Sequence, residues 1–136
     1  MNRRTFLLSA AATAAPRLAA RITRIRLAPI LGRFHKFVAM NAYDVAPKAH
    51  TYSNTLVRIS TNRGVEGVGV MGYREPDDAF LQGAKSLIGA DPSALYEWKD
   101  GRIAGRAPAH RTLLESQMHL DGPLFDLIGK LEGKPA

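Results

Sequence analysis

Three segments of the chain alternate hydrophobic and polar residues with the period of two that is typical of β-strands. In "RITRIRLAPI", residues 21–30, isoleucine and leucine alternate with arginine. The same period continues in "NTLVRISTN", residues 54–62, and in "VEGVGVMGY", residues 65–73. The turn-forming residues 62–64 leave only a short connection between the second and third segments, which predicts an antiparallel hairpin.

After Pro76 the hydrophobic period changes to that of a helix. Two aspartates follow this proline, as the positive end of a helix dipole favours. The pattern predicts a helix over residues 76–89 and a short second helix over residues 91–98, followed by a loop over residues 99–110. It then predicts a third helix over residues 111–120 and a final helical segment over residues 123–130. Because Pro123 has no amide hydrogen, we expect a break or kink before the final segment. The predicted fold class is α+β: a three-stranded antiparallel meander followed by helices.

The third predicted strand contains three glycines, which lack side chains. Gly67, Gly69 and Gly72 suggest a bulge, or the close approach of another part of the backbone. A phosphate-binding loop would need the full glycine spacing and a helix directly behind it, and both are missing here.

A long segment without a clear period separates the first two strands. Residues 31–50, "LGRFHKFVAMNAYDVAPKAH", are rich in aromatic residues for a plain linker. Connections of this length inside a small domain are usually functional or disordered. A flap that covers a ligand is favoured over a disordered spacer.

The first twenty residues have the form of an export signal. A charged start precedes an apolar run from Phe6 to Ala15, and small residues follow. Arg3 and Arg4, followed by Thr-Phe-Leu, resemble a twin-arginine signal, which directs folded proteins to the periplasm. The apolar run is too short for a stable membrane span. An amphipathic terminus that stays attached is the alternative, and cleavage after Ala14 and after Ala20 both fit.

Charge and composition exclude several classes of protein. The leader accounts for +3 of the net charge of +7, since removing the three arginines of residues 1–20 leaves 16 basic residues against 12 acidic ones. The remaining basic residues are scattered, whereas a nucleic-acid interface needs a clustered basic face. The chain has no cysteine, which excludes disulfides and thiolate zinc sites. We therefore expect no nucleic-acid partner.

Two motifs, in this order along the chain, resemble the N-terminal capping domain of the enolase superfamily, in its mandelate racemase and muconate-lactonising branch. The hairpin motif matches at Val57, Ile59, Thr61, Gly64, Gly67 and Gly69. The helical motif matches at Leu124, Phe125, Asp126, Leu127, Gly129, Lys130, Gly133 and Pro135. The segment "LIGADP", residues 87–92, is also similar. The chain departs from the family at Val70, where a glutamate is usual, and at Pro123, where alanine is usual. These departures leave the substrate and the subgroup open.

The resemblance implies a domain that caps the active site of a magnesium-dependent racemase, dehydratase or cycloisomerase acting on a carboxylate or acid-sugar substrate. In that family the Lys-x-Lys base and the acidic metal ligands belong to a (β/α) barrel of about 250 residues. No two lysines of this chain are two positions apart. We therefore expect no catalytic residue, no metal ligand and no cofactor in this chain, with Mg²⁺ implied only for a full-length relative. The resemblance also implies loops that contact substrate, with candidates Phe34, His35, Met40, Tyr43 and Tyr73.

The expected organisation is an export signal over residues 1–20, a capping domain over 21–122, and the start of a linker to a missing or separate barrel over 123–136. As such a piece the chain would be inactive alone. The final segment would then expose an apolar patch for the barrel, formed by Leu124, Phe125, Leu127 and Ile128. The alternative is a stand-alone exported binding or interaction domain that lacks a barrel.

Overall fold

The computed structural model of the protein describes residues 19–35, 51–72 and 75–134. Its strands are β1 (Ile22–Arg33), β2 (Thr51–Thr61), β3 (Glu66–Val70), β4 (Tyr96–Lys99) and β5 (Arg102–Arg106). Its α-helices are α1 (Asp78–Ser86), α2 (Arg111–Ser116) and α3 (Asp121–Glu132). Short 3-10 helices cover Pro92–Leu95, Pro108–His110 and Met118–Leu120. The predicted α+β fold, an antiparallel meander followed by helices, is confirmed.

The first three strands form one antiparallel sheet in the order β1-β2-β3. The predicted β2–β3 hairpin is confirmed, and Gly64 has a φ of 71° in its turn. Val57 and Ile59 are fully buried on the face of the sheet that the helices cover. The core contains these two residues together with Ile22, Phe80, Leu87, Leu95, Leu114, Leu120, Leu124 and Leu127.

Helix α1 forms where the sequence predicts a helix, but it is shorter at both ends, covering Asp78–Ser86 within the predicted residues 76–89. The Asp77 carboxylate accepts a hydrogen bond of 2.8 Å from the Phe80 amide, which caps the helix. Gly89 adopts a φ of 87° after the last turn, a conformation that glycine takes without steric cost. The apolar face predicted for this helix is confirmed in part. Phe80, Ala84 and Leu87 pack into the core, whereas Leu81 and Ile88 are 37% and 48% exposed.

The predictions for residues 91–110 are wrong in two places. The second helix is only a 3-10 turn, capped by Asp91, and the chain then enters strand β4. The predicted loop contains strand β5, which pairs with β4. The cause is the Asp100-Gly101 pair, in which both residues have positive φ, 51° and 71°. An Asp-Gly pair with this geometry is a strong signal for a two-residue hairpin turn.

The predicted break near Pro123 occurs earlier in the chain. Helix α2 ends at Ser116, and a 3-10 turn leads directly into α3, which starts at Asp121. Pro123 therefore lies in the first turn of α3, where its missing amide hydrogen costs no intrahelical bond.

The start of α3 lies directly against the glycines of β3. A Cβ atom on Gly67 would overlap the Pro123 carbonyl oxygen and lie 2.8 Å from the Leu127 amide nitrogen. A Cβ atom on Gly69 would lie 2.7 Å from the Pro123 nitrogen. The close backbone approach predicted from the glycines is thus confirmed, and α3 is the element that approaches.

Helix α3 belongs to the core of this domain. Leu124 and Leu127 are fully buried and Ile128 is only 3% exposed, so the predicted exposed patch is wrong. Of its four residues, only Phe125 is exposed, at 37%. The physical reason is that the glycines of β3 have no side chains, so the apolar side of the helix packs directly against the strand. The domain boundary expected after residue 122 falls inside α3.

Polar residues of α3 cover the free edge of β3. The Asp126 carboxylate accepts a hydrogen bond of 2.8 Å from the Val68 amide. The Lys130 ammonium donates to the Glu66 carbonyl oxygen at 3.0 Å and to the Asp126 carboxylate at 2.6 Å. An uncovered strand edge is a template for pairing with other chains. The Asp126–Lys130 pair therefore satisfies the edge and fixes the position of the helix along it.

We expect the domain to lose stability in acid because of two carboxylates, that of Glu66, which is bonded to side chains of β2, and that of Asp126 at the β3 edge. Hydrogen bonds from Ser60 and then Arg58 lower the pKa of Glu66, and Lys130 lowers the pKa of Asp126. A carboxyl group with a depressed folded-state pKa stabilises the fold above its unfolded pKa, and that contribution is lost as the pH falls through the folded value. Urea unfolding should therefore show a lower midpoint at pH 3 than at pH 7.

The matched control for this prediction is the double variant Glu66→Gln with Asp126→Asn. Its urea midpoint should depend less on pH than that of the unchanged protein, because both groups no longer titrate. Equal pH dependence of the two proteins would contradict the assignment.

Candidate functional site

The β1–β2 pair extends beyond β3 as a two-stranded ribbon. Pairing between β2 and β3 ends at Leu56↔Val70, whereas β1 and β2 remain paired to Arg33↔Thr51. The flap was predicted over residues 31–50, but its first three residues belong to β1, which runs to Arg33, because the strand continues its pairing with β2. Residues 36–50 lie outside the described residues. The side chains at the end of the ribbon therefore lie beyond β3, at one end of the sheet.

An aromatic pair occupies the end of the ribbon. The ring centroids of Phe34 and Tyr52 are 4.9 Å apart, with the planes tilted by 44°. The ring of Tyr52 crosses over Gly32, where any Cβ atom would overlap it. Glycine at this position is thus required for the aromatic ring to lie across the strand.

A shallow cavity of about 500 Å³ surrounds this pair, and we call it the ribbon site. Its lining residues are Arg33, Phe34, His35, Tyr52 and Asn54. The guanidinium, imidazole, hydroxyl and amide groups are hydrogen-bond donors, and the two rings offer apolar surface. This combination suits a small ligand with an anionic group and an apolar or hydroxylated body. These donors and apolar rings equip the ribbon site to bind such a ligand.

Two of the predicted substrate-contact residues, Phe34 and His35, line the ribbon site. Met40, Tyr43 and Tyr73 lie outside the described residues. The sequence prediction missed Tyr52 because it started the second strand at residue 54. Continuing the alternating register by two residues places Tyr52 opposite Gly32 and would have indicated it.

The described residues do not form a magnesium site. Across residues 19–35, 51–72 and 75–134, no three histidine or acidic side chains come close enough together to hold a metal ion. Three of the aspartates have structural roles: Asp77 and Asp91 each cap a helical turn, and Asp126 covers the edge of β3. The resemblance itself locates the metal ligands on a barrel.

A partly buried polar cluster links the β4–β5 hairpin to the start of α3. The Tyr96 hydroxyl donates to the Asp121 carboxylate at 2.7 Å, and the Arg106 guanidinium donates to the other carboxylate oxygen. Burial, together with this hydrogen bond, raises the pKa of Tyr96 above its ordinary value. The tyrosine therefore remains a donor at physiological pH, and we assign the cluster a structural role.

A second cavity, of about 390 Å³, lies between the β4–β5 hairpin and α3, and we call it the hairpin groove. It is lined by Trp98, Gly101, Arg102, Ile103, Phe125, Ile128, Gly129, Glu132 and Lys134. The Trp98 indole donates to the Ser93 carbonyl oxygen at 2.8 Å, which fixes one wall. Its surface is mainly apolar, with charged side chains at the rim.

Comparison of the chain with protein-family models, with curated proteins and with solved structures gives no match in any of the three. In the part of the chain that the structure describes, no helix is long and apolar enough to cross a membrane. The contacts within the domain and the two cavities are therefore the basis for assigning a function.

Proposed function

We propose that this chain is the capping domain of a magnesium-dependent enzyme of the enolase superfamily. The reaction would be a racemisation, dehydration or cycloisomerisation of a small carboxylate or acid-sugar substrate. The observation that carries the proposal is the contact between the β3 glycines and the start of α3. That contact joins the two motifs on which the resemblance rests.

This contact gives a structural role to residues of both motifs. Gly67 and Gly69 allow the backbone of α3 to approach the sheet. Asp126 then reaches the Val68 amide, 58 positions away in the chain, and Lys130 reaches the Glu66 carbonyl oxygen. Two motifs that match a family in order and also depend on each other physically are stronger support than either motif alone.

In this proposal the ribbon site faces the substrate. Arg33, His35 and Tyr52 supply donors for a carboxylate or for hydroxyl groups, and the Phe34 ring limits the size of the substrate body. Closing such a surface over a barrel mouth excludes water and strengthens electrostatic interactions around the reacting carboxylate. This chain would select and enclose the substrate, and the barrel would carry the base and the metal ligands.

The first test is turnover of the purified chain with magnesium and a panel of carboxylates and acid sugars that carry an α-proton. We expect no turnover by the chain alone, and turnover when the chain is joined to its barrel. Turnover by the isolated chain above background would contradict the proposal that the catalytic residues belong to the barrel.

Variants of the ribbon site test its role in substrate selection. In the enzyme that contains a barrel, Phe34→Ala and Tyr52→Ala should change kcat/KM by about 10- to 100-fold, and unequally between substrates, because apolar contacts discriminate on this scale. Arg63→Ala, at the exposed β2–β3 turn, is the matched control and should leave kcat/KM unchanged. Equal effects of all three changes on every substrate would contradict a specificity role.

The alternative function is a stand-alone exported binding domain. The observation in its favour is the hairpin groove, an apolar cavity that no proposed catalytic step uses. Both functions share the proposal that residues 1–20 direct export by the twin-arginine route. They differ in whether a barrel accompanies the chain, which the DNA sequence decides.

A further inference from the structure

The hairpin groove exposes apolar side chains on both walls. Trp98 of the hairpin is 40% exposed and Phe125 of α3 is 37% exposed. Ile103 and Ile128 form the floor between them. Covering such surface stabilises a protein by about 25 cal/mol per Å² of apolar area. The groove is therefore a favourable binding site for an apolar segment that can reach it.

The described chain begins beside this groove. Ala19 and Ala20 line a small cavity next to Leu131 and Glu132 near the end of α3. Two hydrogen bonds hold this start in place, from the Arg21 amide to the Asn62 side chain at 2.8 Å and from the Asn62 amide group to the Ala19 carbonyl oxygen at 3.3 Å. Glu132 lines both that cavity and the hairpin groove. Residues 1–18 thus join the domain at one end of the groove.

The leader has the length to occupy the groove. Its apolar run, Phe6 to Ala15, ends four positions before Ala19, and an extended chain covers this interval in roughly 13 Å. Arg17 lies within the interval, and Glu132 lies at the junction between the cavity and the groove. Glu132 offers Arg17 an opposite charge, whereas Arg102 and Lys134 of the groove repel it, so the apolar match and the short interval favour this path of the leader.

We propose that, in the full chain, the apolar run Phe6–Ala15 docks in the hairpin groove, with Arg17 beside Glu132. Docking covers apolar surface on both partners within one folded molecule. This inference concerns the leader and the groove and does not depend on the proposed capping function.

Trp98 is the only tryptophan of the chain and reports directly on the groove. In the full chain we expect blue-shifted emission and weak quenching by acrylamide. The double variant Leu7→Glu with Leu8→Glu should shift the emission to the red and increase quenching, because charged residues no longer enter the apolar groove. The control, Asn2→Glu with Thr5→Glu, adds the same charge outside the run and should leave both signals unchanged. Equal quenching in all three proteins would overturn the proposal.

Disulfide cross-linking tests the location, since the chain has no natural cysteine. We expect Ala12→Cys to form an intramolecular disulfide with Arg102→Cys at the groove. It should not do so with Val70→Cys, which is exposed on the sheet. Equal cross-linking at both positions, or disulfides only between two molecules, would overturn the proposal in favour of nonspecific contact or of a second copy in the groove.

Discussion

Gly67→Ala is expected to lower the free energy of unfolding by about 3 kcal/mol, at the upper end of what overpacking costs. The added methyl group would overlap the Pro123 carbonyl oxygen and the Leu127 side chain. A backbone oxygen in the first turn of a helix cannot rotate away as a flexible side chain does. Relief therefore requires α3 to move off the sheet, and the buried leucines of α3 move with it.

The matched control is Gly122→Ala, one position before Pro123. A Cβ atom on Gly122 meets nothing within 4 Å, and this glycine lies in the first turn of α3. Because alanine has a higher helix propensity than glycine, its effect should be neutral or stabilising by less than about 1 kcal/mol. Urea unfolding followed by circular dichroism measures both variants. Equal stability of Gly67→Ala and the unchanged protein would show that α3 does not press on β3.

Leu127→Ala is expected to destabilise the domain by about 2–5 kcal/mol, the range for removing a buried leucine side chain. Leu127 is fully buried and lies against Gly67 in the centre of the contact between α3 and β3. The truncation leaves a cavity that the helix cannot close without losing the hydrogen bond from Val68 to Asp126. Thermal or urea unfolding of the purified protein gives the change directly.

Met118→Ala is the control for this truncation, because Met118 is 62% exposed and precedes α3. Its effect should stay within about 0.5 kcal/mol, as is usual for surface substitutions. If Leu127→Ala were as mild as Met118→Ala, α3 would be an appendage, and the original expectation of a linker over residues 123–136 would be restored.

The meander and α1 were predictable because their signals are local. Alternation in β1 and β2, the turn at residues 62–64 and the aspartate cap of α1 each depend on a few neighbouring residues. The β4–β5 hairpin carried an equally local signal, the Asp100-Gly101 pair. The prediction missed it because the flanking strands are short and only partly apolar.

The position of α3 was beyond local prediction. The hydrophobic pattern of α3 is compatible both with packing on a barrel and with packing on the sheet of its own domain. What decides between them is the missing side chains of Gly67 and Gly69, since only a glycine surface lets the helix backbone come this close. The same glycines had been interpreted as a sign of close approach, but the approaching element could not be named from the sequence.

The ribbon site was predicted in part for a similar reason. Phe34 and His35 are candidates because the resemblance implies that the loop after the first strand contacts substrate. Tyr52 and Arg33 enter the site through pairing across the strands, where Gly32 faces Tyr52. Such cross-strand neighbours follow only once the register of the hairpin is known.

The central claim is that this chain caps a catalytic barrel, and the sequence of the DNA that continues its reading frame tests it most directly. The claim predicts that the frame continues, or is accompanied by a neighbouring gene, into a (β/α) barrel with a Lys-x-Lys pair and spaced acidic metal ligands. A stop codon directly after Ala136, with no barrel encoded nearby, would contradict the claim and favour a stand-alone binding domain.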